Sequence, residues 1–138
     1  VPILHASCVA IGERALLIRG PSGSGKSSLA LEMMARGATL VADDQVVLTV
    51  DQGGLIADAP TATRGLIEAR GIGLLTAMTT GPTPVAALVD LARQEQDRLP
   101  QARSIQLYGV TLPLLHNCAS PYFAAGLVQY LKGDRREV

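Results

Sequence analysis

The run Gly20-Pro21-Ser22-Gly23-Ser24-Gly25-Lys26-Ser27 spells G-x-x-x-x-G-K-S, a spacing that works only where a strand runs in and a helix runs out. Both neighbours are present. Ala15-Leu16-Leu17-Ile18-Arg19 reads as a short buried strand, and residues 28–36 read as a helix stopped by Gly37. Glycines let the backbone curl so that successive N–H groups point inward, and the helix N-terminus adds partial positive charge. The phosphate cradle is thus Gly20 to Ser27 with the following Ser28. Lys26 is placed to reach β- and γ-phosphates, and the Ser27 hydroxyl to ligate a nucleotide's magnesium. The chain has only two lysines, and one of them fills this position.

Composition narrows the rest. At 138 residues the chain has the length of one domain, and 48% hydrophobic content supports a packed core. With one Phe, three Tyr and no Trp, that core must be built from Leu, Val, Ile and Ala. Zero formal charge and the lack of a basic stripe argue against nucleic acid as partner. No apolar run is long enough to cross a membrane, and no signal-peptide pattern occurs. Cys8 and Cys118 are too few for a metal cluster or disulfide framework. They read as two buried small hydrophobes in a reducing cytoplasm. A start at Val1 and not Met is what a trimmed chain, or a domain cut from a longer protein, would show.

Along the chain, 4–11 and 14–19 read as a hairpin turned at Gly12-Glu13, and 39–42 as a buried strand ending in Asp43-Asp44. Strands are expected at 45–50 and 55–57 around the turn Asp51-Gln52-Gly53-Gly54, with a loop from Pro60 to Gly65 and a strand at 74–78. Pro84 to Leu99 reads as a helix, with Pro84 in its first turn and Val85, Leu88, Leu91 and Ala92 on one face. A strand at 104–107 and a helix from Pro121 to Leu131, with Gly133 as its stop, complete the pattern. Hairpins around a phosphate loop predict an α/β domain with a mixed sheet and flanking helices, not a purely parallel doubly wound sheet.

Phosphoryl transfer also needs a carboxylate near the metal and usually a base for the acceptor. Asp43 and Asp44 end a buried strand where such an acid belongs. Adjacent strand residues face opposite sides, so one of the two is expected to face the γ-phosphate directly. Glu68 and Arg70 lie in Ile67-Glu68-Ala69-Arg70-Gly71-Ile72-Gly73, whose glycines would let a charged loop fold against phosphates. Taken alone, His5 in an apolar strand reads as a hydrogen-bonded core histidine. His116 reads as structural or exposed.

Together these residues resemble the catalytic domain of the HPr kinase/phosphorylase family. The resemblance is carried by His5 fifteen positions before Gly20, the loop itself, Arg36-Gly37-Ala38-Thr39-Leu40-Val41-Ala42-Asp43-Asp44, and Leu66 to Gly73, and it covers residues 5 to about 78. It implies a P-loop fold of the phosphoenolpyruvate-carboxykinase-like type. The activity it implies is ATP- and magnesium-dependent phosphorylation of a serine on the phosphocarrier protein HPr or a paralogue, which regulates the phosphotransferase system. It further implies phosphorolysis of that phosphoserine by inorganic phosphate, releasing pyrophosphate. By the resemblance Asp44 is the acid–base carboxylate, with Asp43 as the alternative. Ser27 and Glu68 are the magnesium ligands, Lys26 the phosphate-neutralising lysine, His5 an active-site histidine, and Arg98 a later active-site arginine.

Two departures qualify this. The family's longer members carry an amino-terminal domain absent here, so the chain resembles the short form found in alphaproteobacteria. Where the family has a proline-, glycine- and arginine-rich loop important for dephosphorylation, this chain reads Thr111 to Asn117 without an arginine. Kinase activity is therefore the firmer expectation, and hexameric assembly, usual in the family, is left open for a shortened chain. Two alternatives stand beside it: a P-loop kinase of the same fold acting on a small molecule, and a nucleotide-sensing module.

Overall fold

The computed structural model describes residues 1–133. Eleven strands and two α-helices follow in the order β1 (Ile3–Leu4), β2 (Ser7–Ile11), β3 (Arg14–Arg19), α1 (Lys26–Met34), β4 (Thr39–Ala42), β5 (Val46–Asp51) and β6 (Gly54–Asp58). A single 3-10 turn at Thr61–Thr63 leads to β7 (Leu66–Ala69), β8 (Gly73–Thr76), β9 (Thr83–Gln94), β10 (Arg103–Leu107), β11 (Val110–Asn117) and α2 (Phe123–Gly133). The mixed α/β architecture is the expected one, although both helices pack on the same face of the sheet.

β9 holds the molecule together. It pairs parallel with β3 along one edge. Along the other edge it pairs antiparallel with β6 at Thr83 and Pro84, then parallel with β11 from Leu88 onward. β2 is antiparallel to both β3 and β4. The ends of β11, β9, β3 and β4 therefore share one edge of the sheet, which also holds the start of β2.

Side chains alternate across the central strands as the pleat requires. Val9, Leu16, Ile18, Ala87, Val89 and Leu91 pack towards α1 and α2. Cys8, Ala10, Ala15, Leu17 and Leu88 face the opposite way, onto Leu48, Leu55 and Ala57 of the folded-over strands and Leu112 of β11. Strands buried on both faces read as continuous apolar runs, and β3 does.

The same fact explains the main error of the sequence reading. Residues 84–99 are not a helix: 83–94 is the central strand β9, and 95–100 is a connection. A run buried on both sides has apolar residues at every spacing, helical ones included, and periodicity alone cannot separate the two. β11 escaped notice altogether, because Pro113 interrupts it. That proline pairs with Ser104 of β10. Cys118 is exposed, against expectation, since it follows the end of β11, while Cys8 lies buried in the sheet. α1 starts two residues earlier than expected. Its end is fixed by a Schellman motif in which Gly37, at φ 107°, donates to Met34 O and Ala38 to Met33 O.

Candidate active site

The cradle is set by the join between β3 and α1. Gly23 and Gly25 adopt φ values of 81° and 97°, which side-chain-bearing residues rarely take. Gly20 is required for space: a Cβ there would lie 2.5 Å from Ser24 Oγ and 3.1 Å from Leu91 Cβ. Helix α1 has no side-chain cap and no acidic residue in its first turn, which leaves its leading N–H groups to an external anion. Lys26, almost wholly buried, spans the loop, its Nζ donating to Gly20 O at 2.8 Å and Pro21 O at 3.1 Å. This combination fits a nucleotide's phosphates.

The two aspartates part company at the end of β4. Asp43 is 4% exposed and turns inward. Its Oδ1 accepts from Ser7 Oγ at 2.6 Å and from Ser27 Oγ at 2.7 Å. Its Oδ2 accepts from Ser27 Oγ at 3.0 Å and from the Glu68 N–H at 3.1 Å. Because Ser27 gives its proton to Asp43, its oxygen lone pairs are left for a cation. Asp44 turns outward instead, and its Oδ1 lies 3.0 Å from His5 Nε2, with both side chains largely in solvent. Asp44 has φ 68° at the centre of a three-residue turn closed by the Gln45 N–H on Asp43 O at 2.8 Å. That strained conformation aims neighbouring carboxylates in opposite directions.

Glu68 and Arg70 come from the β7–β8 hairpin, tied to this centre by the hydrogen bond from Glu68 N–H to Asp43. Glu68 stands directly across from Leu74 in the ladder, while Ile67 and Ala69 face inward and are buried. A cleft of about 310 Å³ is lined by His5, Ser22, Lys26, Asp44, Glu68 and Arg70, among others. A second groove of about 280 Å³ shares Ser27, Asp44 and Glu68 with it and continues to Leu66 and Leu74. Among the described residues no three His, Cys, Asp or Glu side chains form a metal cluster. Magnesium does not need one, since it is commonly held by one or two protein oxygens plus phosphates and water. Ser27 and Glu68 fit that role.

Of the residues singled out in the sequence, Gly20, Pro21 and Ser24 belong to the loop without lining the cleft, and Ser28 lines it. Arg98 is not brought to this centre. It lies with His116 in a separate groove beside α2. Ser7 was missed. Fully buried and bonded to Asp43, it looks in the sequence like any small strand residue, and only the fold of β2 against β4 shows its partner.

A model of the HPr serine kinase C-terminal domain matches residues 2–86. The HPr kinase/phosphorylase of Caldicellulosiruptor bescii is 36% identical over 124 residues, covering 80% of this chain and 40% of that protein. The corresponding protein of Latilactobacillus sakei is 37% identical over 103 residues, or 69% of this chain and 33% of that one. The Clostridium tetani protein is 44% identical over 72 residues, covering 52% and 24% respectively. The chain thus aligns with well under half the length of these relatives. The solved structure of the Hpr(Ser) kinase/phosphatase from Coxiella burnetii superposes with a TM-score of 0.80 at 21% identity, covering 96% of this chain and 95% of that one. It shares the fold.

Proposed function

The chain belongs to the HPr serine kinase C-terminal domain family, and from that premise we propose that residues 1–138 are one catalytic domain of an ATP- and magnesium-dependent serine kinase acting on HPr or a related carrier. The observation that supports this best is the divided labour of the aspartates. A nucleotide sensor needs Asp43, which holds Ser27 for the metal. It has no use for a second carboxylate held in a strained turn, facing the phosphate cleft and bonded to a histidine.

In this reading the acceptor serine oxygen attacks the γ-phosphorus, its proton passes to the Asp44 carboxylate, and the bond to ADP breaks. His5 keeps the Asp44 carboxylate turned into the cleft. Lys26 and the loop N–H groups hold the β- and γ-phosphate charge, with Arg70 at the cleft wall. Magnesium, when held by Ser27 and Glu68, supplies further neutralisation of the phosphates. In the reverse direction inorganic phosphate attacks the phosphoserine phosphorus, the bond to the serine oxygen breaks as the same carboxylate, now protonated, returns its proton to that oxygen, and pyrophosphate is the product. A macromolecular acceptor is favoured over a small molecule by the β7–β8 hairpin that carries Glu68 and Arg70, where Ile72 and Leu74 are 78% and 66% exposed and Leu74 lines the second groove. Such apolar exposure beside a polar site suits a protein surface. A cytoplasmic location fits this role, and no described helix is long and apolar enough to cross a membrane.

The test is incubation with ATP, magnesium and purified HPr, with phosphoserine read by mass spectrometry. Phosphorylated HPr is expected. Hydrolysis of ATP without any phosphoprotein would sink the protein-kinase reading. Supplying phosphoserine-HPr and phosphate, and measuring pyrophosphate, tests the reverse direction.

A further inference from the structure

The groove that receives Arg98 encloses about 530 Å³, and the reaction centre above makes no use of it. It is bounded by the connection after β9, the end of β11 and the outer flank of α2. Leu115, Phe123 and Tyr130 give it an apolar and aromatic lining, with Asp97, Arg98 and His116 as polar groups. We propose that this groove takes the ribose and base of the nucleotide whose phosphates occupy the Gly20–Ser27 loop.

The order of strand ends along one edge of the sheet sets the direction in which a bound nucleotide lies. The phosphate loop leaves β3. On one side, beyond β2, β4 ends at Asp43-Asp44; on the other come β9 and then β11. An acceptor attacking beside Asp44 requires the leaving diphosphate roughly in line on the far side of the γ-phosphorus. The nucleoside must then travel from β3 towards β9 and β11. Register gives the distance. Arg19, just before the loop, pairs with Asp90, and Asp90 pairs with His116 in the groove wall. Two strand spacings make about 10 Å, of the order of the reach from a β-phosphate to its base. The loop already touches that side, since Gly20 packs on Leu91. An apolar, aromatic-lined cavity with a few polar groups is the usual chemistry of a nucleoside pocket.

This inference rests on the kinase reading, and binding measurements separate the two. Gly126 lines the groove from α2, and a Cβ added there would have no neighbouring atom within 4 Å. Gly126→Trp therefore sends its ring into the groove from an unhindered Cβ, and replacing a helical glycine favours the helix. In titration calorimetry with magnesium, Gly126→Trp is expected to weaken ADP binding ~10-fold or more while leaving pyrophosphate binding unchanged. Unchanged ADP affinity, or equal losses for both ligands, would overturn the proposal. So would a wild-type protein that binds ADP no tighter than pyrophosphate. If the wild type binds neither, the kinase reading itself fails and the inference goes with it. As a second measurement, photolabelling with an 8-azidoadenine nucleotide should mark peptides from 95–100 or 115–130. Labelling confined to other segments would contradict the assignment.

Discussion

Asp43 and Asp44 are neighbours in sequence with opposite surroundings, and substitution should separate them. Asparagine tolerates positive φ, so Asp44→Asn keeps the strained turn while removing the base. Phosphoserine formation should fall by about 10²-fold or more, with ADP affinity in calorimetry close to wild type. A parallel loss of both would contradict the acid–base assignment. Ser7→Ala takes one of the donors from a buried carboxylate. It should cost about 1–3 kcal/mol in a denaturant titration and raise the magnesium concentration needed for half-maximal rate, because Ser27 is held by the same carboxylate. Ser7→Thr, which keeps the hydroxyl, should recover the magnesium dependence. The sequence pointed to the aspartates because chain position marks the end of a buried strand. It could not reveal Ser7, whose partner lies 36 residues away and is brought close only by β2–β4 pairing.

At the level of elements, local signals were readable wherever the physics was local. The Gly37 stop needs only a residue free to take positive φ, and Gly37→Ala should lower stability by roughly 1 kcal/mol in thermal melts. The approach to the β7–β8 hairpin carries an ion pair between Asp58 and Arg64. The Arg64 guanidinium, hydrogen-bonded at 2.9 Å, holds the Asp58 carboxyl below its ordinary value of 3.8. A carboxylate whose folded value is depressed contributes fully above its unfolded value and loses that contribution as pH falls through the folded one. The acid limb of a stability-versus-pH curve, below about pH 4, should therefore be shallower in Asp58→Asn than in wild type. Where the physics was not local, the reading failed. Val85, Leu88, Leu91 and Ala92 satisfy a helical face, yet the β3 and β11 edges on either side make β9 a strand. No window of adjacent residues contains that information.

For the molecule as a whole, β9 is the element whose weakening should be felt everywhere. Leu88 is fully buried, in one cluster with Leu48, Leu55 and Ala57 of the folded-over strands. Leu88→Ala should cost about 2–5 kcal/mol, read as a lowered denaturant midpoint. A loss below 1 kcal/mol would mean that the two layers are held together elsewhere. The position of β9 in the chain also has a consequence in time. β3 carries the phosphate loop, but its parallel partner begins at residue 83, more than 60 residues later. At about 5–20 residues per second of synthesis, Leu16 and Ile18 wait several seconds on the ribosome with one strand edge open. During that interval the β2–β3 hairpin, α1 and the early strands that bring Leu40 and Ile67 can cover them, but β9 and α2 cannot, so a nascent chain stalled before residue 83 should be the species most in need of a chaperone.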